Sequence, residues 1–167
     1  MIDLLAAEAG CLDDVQRITQ DAMEGGIDFE SALRMRVRLL GGLDEGAIDR
    51  AWANLRYTPG ARTFVRTLRR LGFTIAIVSG GFTAFTDRIA TDLGIPHAHA
   101  NVLEIIDGRL TGELLDQVVD RRRKATLLEE IAAASHVPLS QTVAVGDGAN
   151  DLDMLNVAGL GIAFNAK

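Results

Sequence analysis

Two short apolar runs, each followed by a glycine-rich corner and a helical pattern, constrain the fold of this chain most strongly. The first is FTIAIV at residues 73–78, before the corner SGG, and the second is TVAVG at residues 142–146, before DGAND. A third candidate strand is LGIAF at residues 160–164. Strands that are apolar on both faces are typical of parallel sheets, which helices cover on both sides. The alternation therefore predicts an α/β fold with an open, Rossmann-like parallel sheet.

The first 57 residues show a different pattern, which predicts helices. Apolar residues recur there at helical spacing, and the two clearest sets are Val15, Ile18, Ala22 and Met23, and then Phe29, Leu33, Val37 and Leu40. We predict two domains, a helical one at residues 1–57 and an α/β one at residues 58–167. In the second, Asp107-Gly108 is a strong two-residue turn signal, which predicts a small hairpin insert at about residues 101–116 that projects from the core.

Composition and charge exclude several classes of function. The net charge of −6 and the isoelectric point near 5.0 argue against nucleic-acid and anionic-membrane partners, because both favour basic surfaces. No run approaches the ~18 apolar residues of a membrane span. Cys11 is the single cysteine and cannot form an internal disulfide, which fits a reducing compartment. We therefore expect a cytoplasmic protein, and a homodimer is as compatible with the sequence as a monomer.

Two aspartates four residues apart, Asp147 and Asp151, mark the corner GDGAND. Like charges this close disfavour joint ionisation unless a cation neutralises them. Asp151 has a second explanation, since the first turn of a helix favours a carboxylate, and Asn150 is expected to cap that helix. Asp147 lacks such an explanation. Hard oxygen ligands near a phosphate corner predict Mg²⁺, whereas Asp153 is expected only to be solvated.

The corner SGG and the basic run RRRK each allow two interpretations. Ser79, Gly80 and the start of the next helix form an arrangement suited to phosphate, although a plain tight turn has the same sequence. Lys124 ends the run RRRK before an apolar helix. It is either part of a solvated basic face, which the sequence alone favours, or the cation that a phosphate site needs.

Arg36 lies within an apolar helical stripe. At 100° per residue it falls about 20° from the direction of Phe29, beside the stripe's other members, while Arg34 and Arg38 fall on the opposite face. A guanidinium on a buried face needs a partner, commonly a carboxylate. The alternative is that its charged end reaches solvent at the edge of the stripe.

Taken together, four segments resemble the phosphoserine phosphatases of the haloacid dehalogenase superfamily. They are IVSGGF, the lysine before a helix, VAVGDGANDLDML, and AMEGGIDFESALRMRVRLL. The resemblance implies a core of the superfamily's type with a helical cap. It also implies Mg²⁺-dependent hydrolysis of O-phosphoserine to serine and phosphate through an aspartyl-phosphate, the last step of serine biosynthesis.

The resemblance also implies roles for individual residues. Asp147 is a metal ligand, and Asp151 supports the metal and its waters. Asn150 fixes the phosphate end of the site, and Lys124 offsets charge on the nucleophile and the phosphate.

The remaining implied roles concern substrate binding. Ser79 and the Gly80 N–H hold the phosphoryl oxygens. Arg36 grips the substrate carboxylate, while Met23 and Phe29 close the cap over the substrate.

The chain departs from the family in one respect. The family's nucleophile lies in a D-x-D-x-[ST] motif at the end of the first core strand, and the sequence has no such motif. We therefore expect the nucleophile, the general acid and the first strand to precede Met1, and further core elements to follow Lys167. The chain is then a fragment or has a mis-assigned start. Two alternatives are a related phosphohydrolase or phosphotransferase acting on another small phosphate ester, and a non-catalytic remnant.

We predict that residues 1–167 by themselves do not hydrolyse phosphoserine, because a covalent route requires a nucleophile. The measurement is phosphate release by the purified chain with Mg²⁺, with and without an in-frame upstream segment containing D-x-D-x-[ST]. Hydrolysis by residues 1–167 alone would show that one of these residues is the nucleophile.

Overall fold

The structure is a computed structural model that describes residues 1–165. The predicted α/β domain at residues 58–167 thus ends outside the described residues. The helices are α1 (Ile2–Ala9), α2 (Leu12–Met23), α3 (Phe29–Arg38), α4 (Gly46–Asn54), α5 (Ala61–Arg70), α6 (Thr83–Leu93), α7 (Arg121–Ala134) and α8 (Leu152–Val157). The strands are β1 (Ala76–Phe82), β2 (His97–Asn101), β3 (Leu103–Ile106), β4 (Arg109–Leu114), β5 (Val143–Gly146) and β6 (Leu160–Ala163).

The helical pattern of the first third is confirmed by α1 to α4. Their apolar stripes meet in a core that includes Leu5, Val15, Leu33, Val37 and Ile48. The same cluster continues through residues of β1, α6 and the hairpin, so the helical part shares one core with them. Within residues 1–165, every helix is too short or too polar to cross a membrane.

The hairpin has the predicted turn but a different placement. Asp107 and Gly108 connect β3 and β4 with φ values of 51° and 71°, as a two-residue turn with two positive φ angles requires. The hairpin does not project into solvent, because side chains of β4 are alternately buried and exposed and its buried face packs on α3. Backbone bonds reinforce this contact: the Gly42 N–H donates to Leu110 O at 2.7 Å, and the Leu110 N–H to Leu43 O at 2.9 Å.

The parallel order predicted for the other strands is confirmed, but as two pairs. Strand β1 pairs with β2 and β5 pairs with β6, each in parallel. In the described part of the chain no hydrogen-bonded ladder joins one pair to the other. Helix α7 packs against β1 and α8, and α8 packs against β5 and β6. Packing through helices therefore connects the two halves of the α/β region.

Strand β1 lies farther along the chain than the sequence predicts. The apolar run at residues 73–78 predicts a strand that ends before SGG, whereas β1 begins at Ala76 and includes SGG. Its register with β2 passes from Val78 opposite His99 to Phe82 opposite Asn101, so four steps along β1 match two along β2. The glycines form an irregular stretch inside the strand, because pairing with β2 resumes after them.

A cluster of three side chains attaches the segment after α4 to α5 and α6. The Tyr57 hydroxyl donates to Asp92 at 2.7 Å, and the Arg62 guanidinium donates to both oxygens of the same carboxylate. Arg62 also lies over the Tyr57 ring, 4.6 Å from its centroid. Burial and the hydrogen bond to Asp92 raise the pKa of Tyr57 to about 12. The neutral hydroxyl is thus favoured in the folded chain.

We predict that Tyr57, the single tyrosine, ionises near pH 12 in the folded chain, and that Asp92→Asn lowers this midpoint. Because the folded pKa lies above the unfolded value of about 10, the stabilisation is complete below that value and is lost as pH rises toward the folded pKa. The measurement is ultraviolet absorbance of tyrosinate against pH. Asp49→Asn, which removes the ion pair with Arg88 instead, is the control. A midpoint near 10 without substitution would contradict the prediction.

Candidate active site

The residues predicted to bind phosphate and metal come from three segments, two of which end or follow a parallel strand. The SGG stretch lies near the carboxyl end of β1, DGAND follows β5, and Lys124 lies in the first turn of α7. In open parallel sheets this edge is where ligands bind. The structure connects the second and third of these segments directly.

Lys124 and Asp151 form a buried ion pair. The two residues are 4% and 5% exposed, and Lys124 Nζ donates to Asp151 Oδ1 at 2.7 Å. The other carboxylate oxygen, Oδ2, accepts from the N–H groups of Asp147 at 3.1 Å and Gly148 at 3.2 Å. A Cβ at Gly146 would lie 2.4 Å from the Asp151 Cβ, so this close approach requires glycine there. Asp151 thus holds the loop after β5 in a closed turn.

This arrangement corrects three expectations. Lys124 does not belong to a solvated basic face, because its position on α7 turns it toward Asp151. Asn150 does not cap the following helix, which has no side-chain cap; the neighbouring carboxylate of Asp151 accepts instead from the N–H groups of Asp147 and Gly148 in the loop before that helix. Asp153 is not merely solvated, since Arg121 donates to it at 2.5 Å.

Asp147 differs from Asp151 because its side chain is exposed. Within residues 1–165 the Asp147 carboxylate takes part in no hydrogen bond or ion pair, and no group of three or more His, Cys, Asp or Glu could enclose a metal ion. Mg²⁺ commonly takes only one or two carboxylates and fills its remaining positions with water and phosphate oxygens. Asp147, with Asp151 beside it, fits such a site. Asp147 offers free oxygens, whereas both oxygens of Asp151 are already hydrogen-bonded.

The SGG stretch leaves one hydroxyl hydrogen available. Ser79 Oγ accepts from the Gly81 N–H at 3.0 Å, so the Ser79 O–H can still donate elsewhere. A Cβ at Gly80 would lie 3.0 Å from Phe29 Cζ, and one at Gly81 would lie 2.3 Å from Met1 Cε. Neither glycine has a positive φ. The Phe29 ring therefore favours glycine at position 80 by close approach, whereas the contact at position 81 is with the flexible end of Met1, which can move.

The helical part contributes Phe29 at this edge, and Arg36 lies farther along the same helix. Phe29 is half-buried at the start of α3, and its ring lies against Gly80. Arg36, two turns later on α3, is also half-buried. It donates to two neutral oxygens, Ala32 O at 3.1 Å and Thr19 Oγ1 at 3.2 Å. Burial lowers the pKa of the Arg36 guanidinium, and the charge of Asp3 opposes this effect only in part.

Arg36 is therefore a partly desolvated cation that forms no ion pair with the described residues.

Met23 is placed differently: it ends α2 and is 69% exposed, so its predicted membership of the buried stripe is wrong. Its role in closing over a substrate stays a prediction.

Sequence reasoning missed Asn101. This residue is the last of β2, is 3% exposed, and hydrogen-bonds to the SGG stretch and to Val119. The available signal was its position, since a polar side chain at the carboxyl end of a parallel strand lies at the ligand-binding edge.

We predict that Lys124→Met destabilises the folded chain by about 3–5 kcal/mol, because removing one partner leaves the other charge buried without compensation. Chemical denaturation measures the change. Arg121→Met on the same helix is the matched control, because Arg121 pairs with Asp153 at the surface and such pairs contribute about 0–1 kcal/mol. Equal effects of the two substitutions would contradict the assigned importance of the buried pair.

Comparison with known proteins identifies the relatives of this chain. A family model described as haloacid dehalogenase-like hydrolase matches residues 3–156. The chain is 59% identical to a phosphoserine phosphatase of Streptomyces coelicolor, over 100% of this chain and 41% of that protein. It is 45% identical to a phosphoserine phosphatase of Streptococcus thermophilus, over 100% of this chain and 78% of that protein. A solved structure, a substrate-bound phosphoserine phosphatase complex, matches with a TM-score of 0.94 and 43% identity, over 99% of this chain and 79% of that chain.

The chain thus spans less than half the length of the Streptomyces relative and more than three quarters of the Streptococcus one. The family model covers most of the 167 residues. The chain belongs to the haloacid dehalogenase-like hydrolase family, and within it to the phosphoserine phosphatases.

Proposed function

We propose that the complete protein hydrolyses the phosphate monoester of O-phospho-L-serine, releasing serine and phosphate. The relatives named above support the reaction class and the substrate. The observation that carries the proposal for this chain is Arg36, a half-buried guanidinium bonded only to neutral oxygens. A phosphate ester that also bears a carboxylate supplies the anionic partner that this guanidinium lacks.

The proposed substrate spans from the SGG stretch to α3. Ser79 and the Gly80 N–H bind the phosphoryl oxygens, and Arg36 binds the carboxylate. Phe29 already lies against Gly80, so α3 reaches the phosphate corner and can bring both ends of a small molecule into contact with protein. Phe29 and Met23 close over the substrate. Exclusion of water from the closed site strengthens each of these charge interactions.

The residues assigned here position and neutralise the phosphoryl group. Lys124 offsets negative charge at the phosphate corner, and Asn150 completes its polar lining. Mg²⁺ held by Asp147, with Asp151 in support, supplies positive charge to the phosphoryl oxygens when it is bound. The covalent aspartyl-phosphate remains part of the proposal, and none of the assigned residues is its nucleophile.

The division of labour follows the predicted domains. Residues 1–57 act as the cap that recognises the carboxylate end, and residues from 58 onward act as the phosphate-handling core. The acidic composition and the single cysteine support a cytoplasmic protein whose partner is a small phosphate ester.

We expect Arg36→Ala in the complete protein to raise KM for phosphoserine about 10- to 100-fold. This range corresponds to the loss of a hydrogen bond to a charged group, about 1.5–3 kcal/mol. Phosphate esters without a carboxylate should be hydrolysed as before. The measurement is steady-state kinetics with both substrates.

The matched control is Arg38→Ala, which removes an exposed arginine two residues away that pairs with Glu113 at 3.4 Å. It should leave both KM values unchanged. If Arg36→Ala weakens both substrates equally, Arg36 is structural and the phosphoserine proposal fails.

We expect Asp147→Asn to abolish high-affinity Mg²⁺ binding, because the amide keeps the shape of the side chain but loses the anionic ligand. Calorimetric titration of Mg²⁺ into the complete protein measures this independently of activity. Asp153→Asn, on the helix that follows, is the control and should bind Mg²⁺ normally. Unchanged Mg²⁺ affinity in Asp147→Asn would remove Asp147 from the site.

A further inference from the structure

Asn101 uses all of its side-chain hydrogen-bonding groups on backbone of two separate segments. Its Nδ2 donates to Gly80 O at 2.9 Å and to Gly81 O at 3.1 Å, and its Oδ1 accepts from the Val119 N–H at 2.8 Å. Two acceptors face one end of the amide and one donor faces the other, so the chemistry of the partners fixes its orientation. An Asn that is 3% exposed and fully paired in this way is rigidly held.

The first of the two segments is the irregular part of β1. Between Val78 and Phe82 the regular register with β2 is interrupted. There the Asn101 side chain, and not the backbone of β2, donates hydrogen bonds to the carbonyls of β1. Because the peptide unit is planar, fixing the carbonyl of Gly80 also fixes the direction of the Gly81 N–H. That N–H donates to Ser79 Oγ. Asn101 thus sets the position of the Ser79 hydroxyl through one peptide unit.

The second segment leads into the helix that contains Lys124. Val119 immediately precedes Asp120, whose side chain accepts from the Arg123 N–H at 2.7 Å as the N-cap of α7. The Lys124 N–H donates to Asp120 O at 3.0 Å in the same turn. A bond to Val119 therefore fixes where the first turn of α7 begins relative to β1.

We propose that Asn101 is the positioning residue that holds the Ser79 hydroxyl and the Lys124 ammonium in register for one phosphoryl group. The inference rests on the proposed function, in which both groups face the phosphate end of the substrate. Asn101 itself touches neither the phosphate nor the metal. Its effect is transmitted through the backbone at Gly80 and Val119.

The test is calorimetric titration of inorganic phosphate into the complete protein and two variants. Asn101→Asp keeps the shape and the acceptor for Val119 but places a carboxylate oxygen against the carbonyls of Gly80 and Gly81. We expect phosphate affinity to fall about 10- to 100-fold, as for displaced orienting groups in other sites, with unchanged stoichiometry. Asn54→Asp is the matched control, since it adds the same charge on the exposed face of α4. It should change the affinity less than about twofold, as surface charges are screened.

The two measured quantities separate positioning from folding. A purely structural role would lower the stoichiometry and the unfolding midpoint while the remaining folded molecules bound phosphate normally. With phosphoserine, Asn101→Asp should lower kcat/KM but preserve its ratio to that of a carboxylate-free ester, because the Arg36 end is untouched. Unchanged phosphate affinity in folded Asn101→Asp overturns the inference.

Inorganic phosphate also separates this inference from the proposed function. If the protein binds phosphate but does not hydrolyse phosphoserine, the function is wrong while the effect of Asn101 on the phosphate corner is still measured. If the unsubstituted protein does not bind phosphate at all, both fail.

A measurement without substitution covers the case in which Asn101→Asp does not fold. In the unsubstituted protein, nuclear magnetic resonance should show slow solvent exchange for the Asn101 side-chain amide and the Val119 N–H. Both signals should shift when phosphate is added. Exchange of the Asn101 amide as fast as that of exposed Asn54 overturns the inference.

Discussion

The buried ion pair between Lys124 and Asp151 is the interaction on which the rest of the site depends. In the described part of the chain, no backbone ladder joins β1–β2 to β5–β6. The pair connects them, since α7 packs against β1 and Asp151 closes the loop after β5. Burying two charges is costly, and the cost is offset only when the remaining oxygens are also hydrogen-bonded. The N–H groups of Asp147 and Gly148 meet that condition.

The fold satisfies some polar groups completely and leaves others available. Asp151 and Asn101 use their oxygens and nitrogens within the protein. By contrast, the Asp147 carboxylate, the Ser79 O–H and the Arg36 guanidinium keep donor or acceptor capacity. The satisfied groups make the site rigid, and the available groups are of the kinds that bind a cation, a phosphoryl oxygen and a carboxylate. Rigidity beside unused polar capacity is the physical requirement for binding a ligand without first reorganising the protein.

Local signals predicted local structure well. The Asp107-Gly108 turn and strands β5 and β6 lie where the sequence places them, because a turn with two positive φ angles and an apolar run depend on near neighbours. The boundary of β1 was displaced for a non-local reason. The sequence predicts the glycines as a corner, but the residues on either side of them, Val78 and Phe82, both pair with β2. That pairing is set by residues about twenty positions away along the chain. The sequence likewise predicted the hairpin, but it did not predict that the hairpin packs on α3.

The sequence by itself determined the α/β alternation, the helical first third, the acidic corner at Asp147 and the resemblance that gave each site residue a provisional role. Only the tertiary structure decided that Lys124 is buried and paired, that Met23 is exposed, and that Asn101 joins two segments. The reason is physical. Periodicity states which face of an element is apolar, whereas the partner of a buried charge or amide depends on which elements meet, and that is settled only when the chain packs.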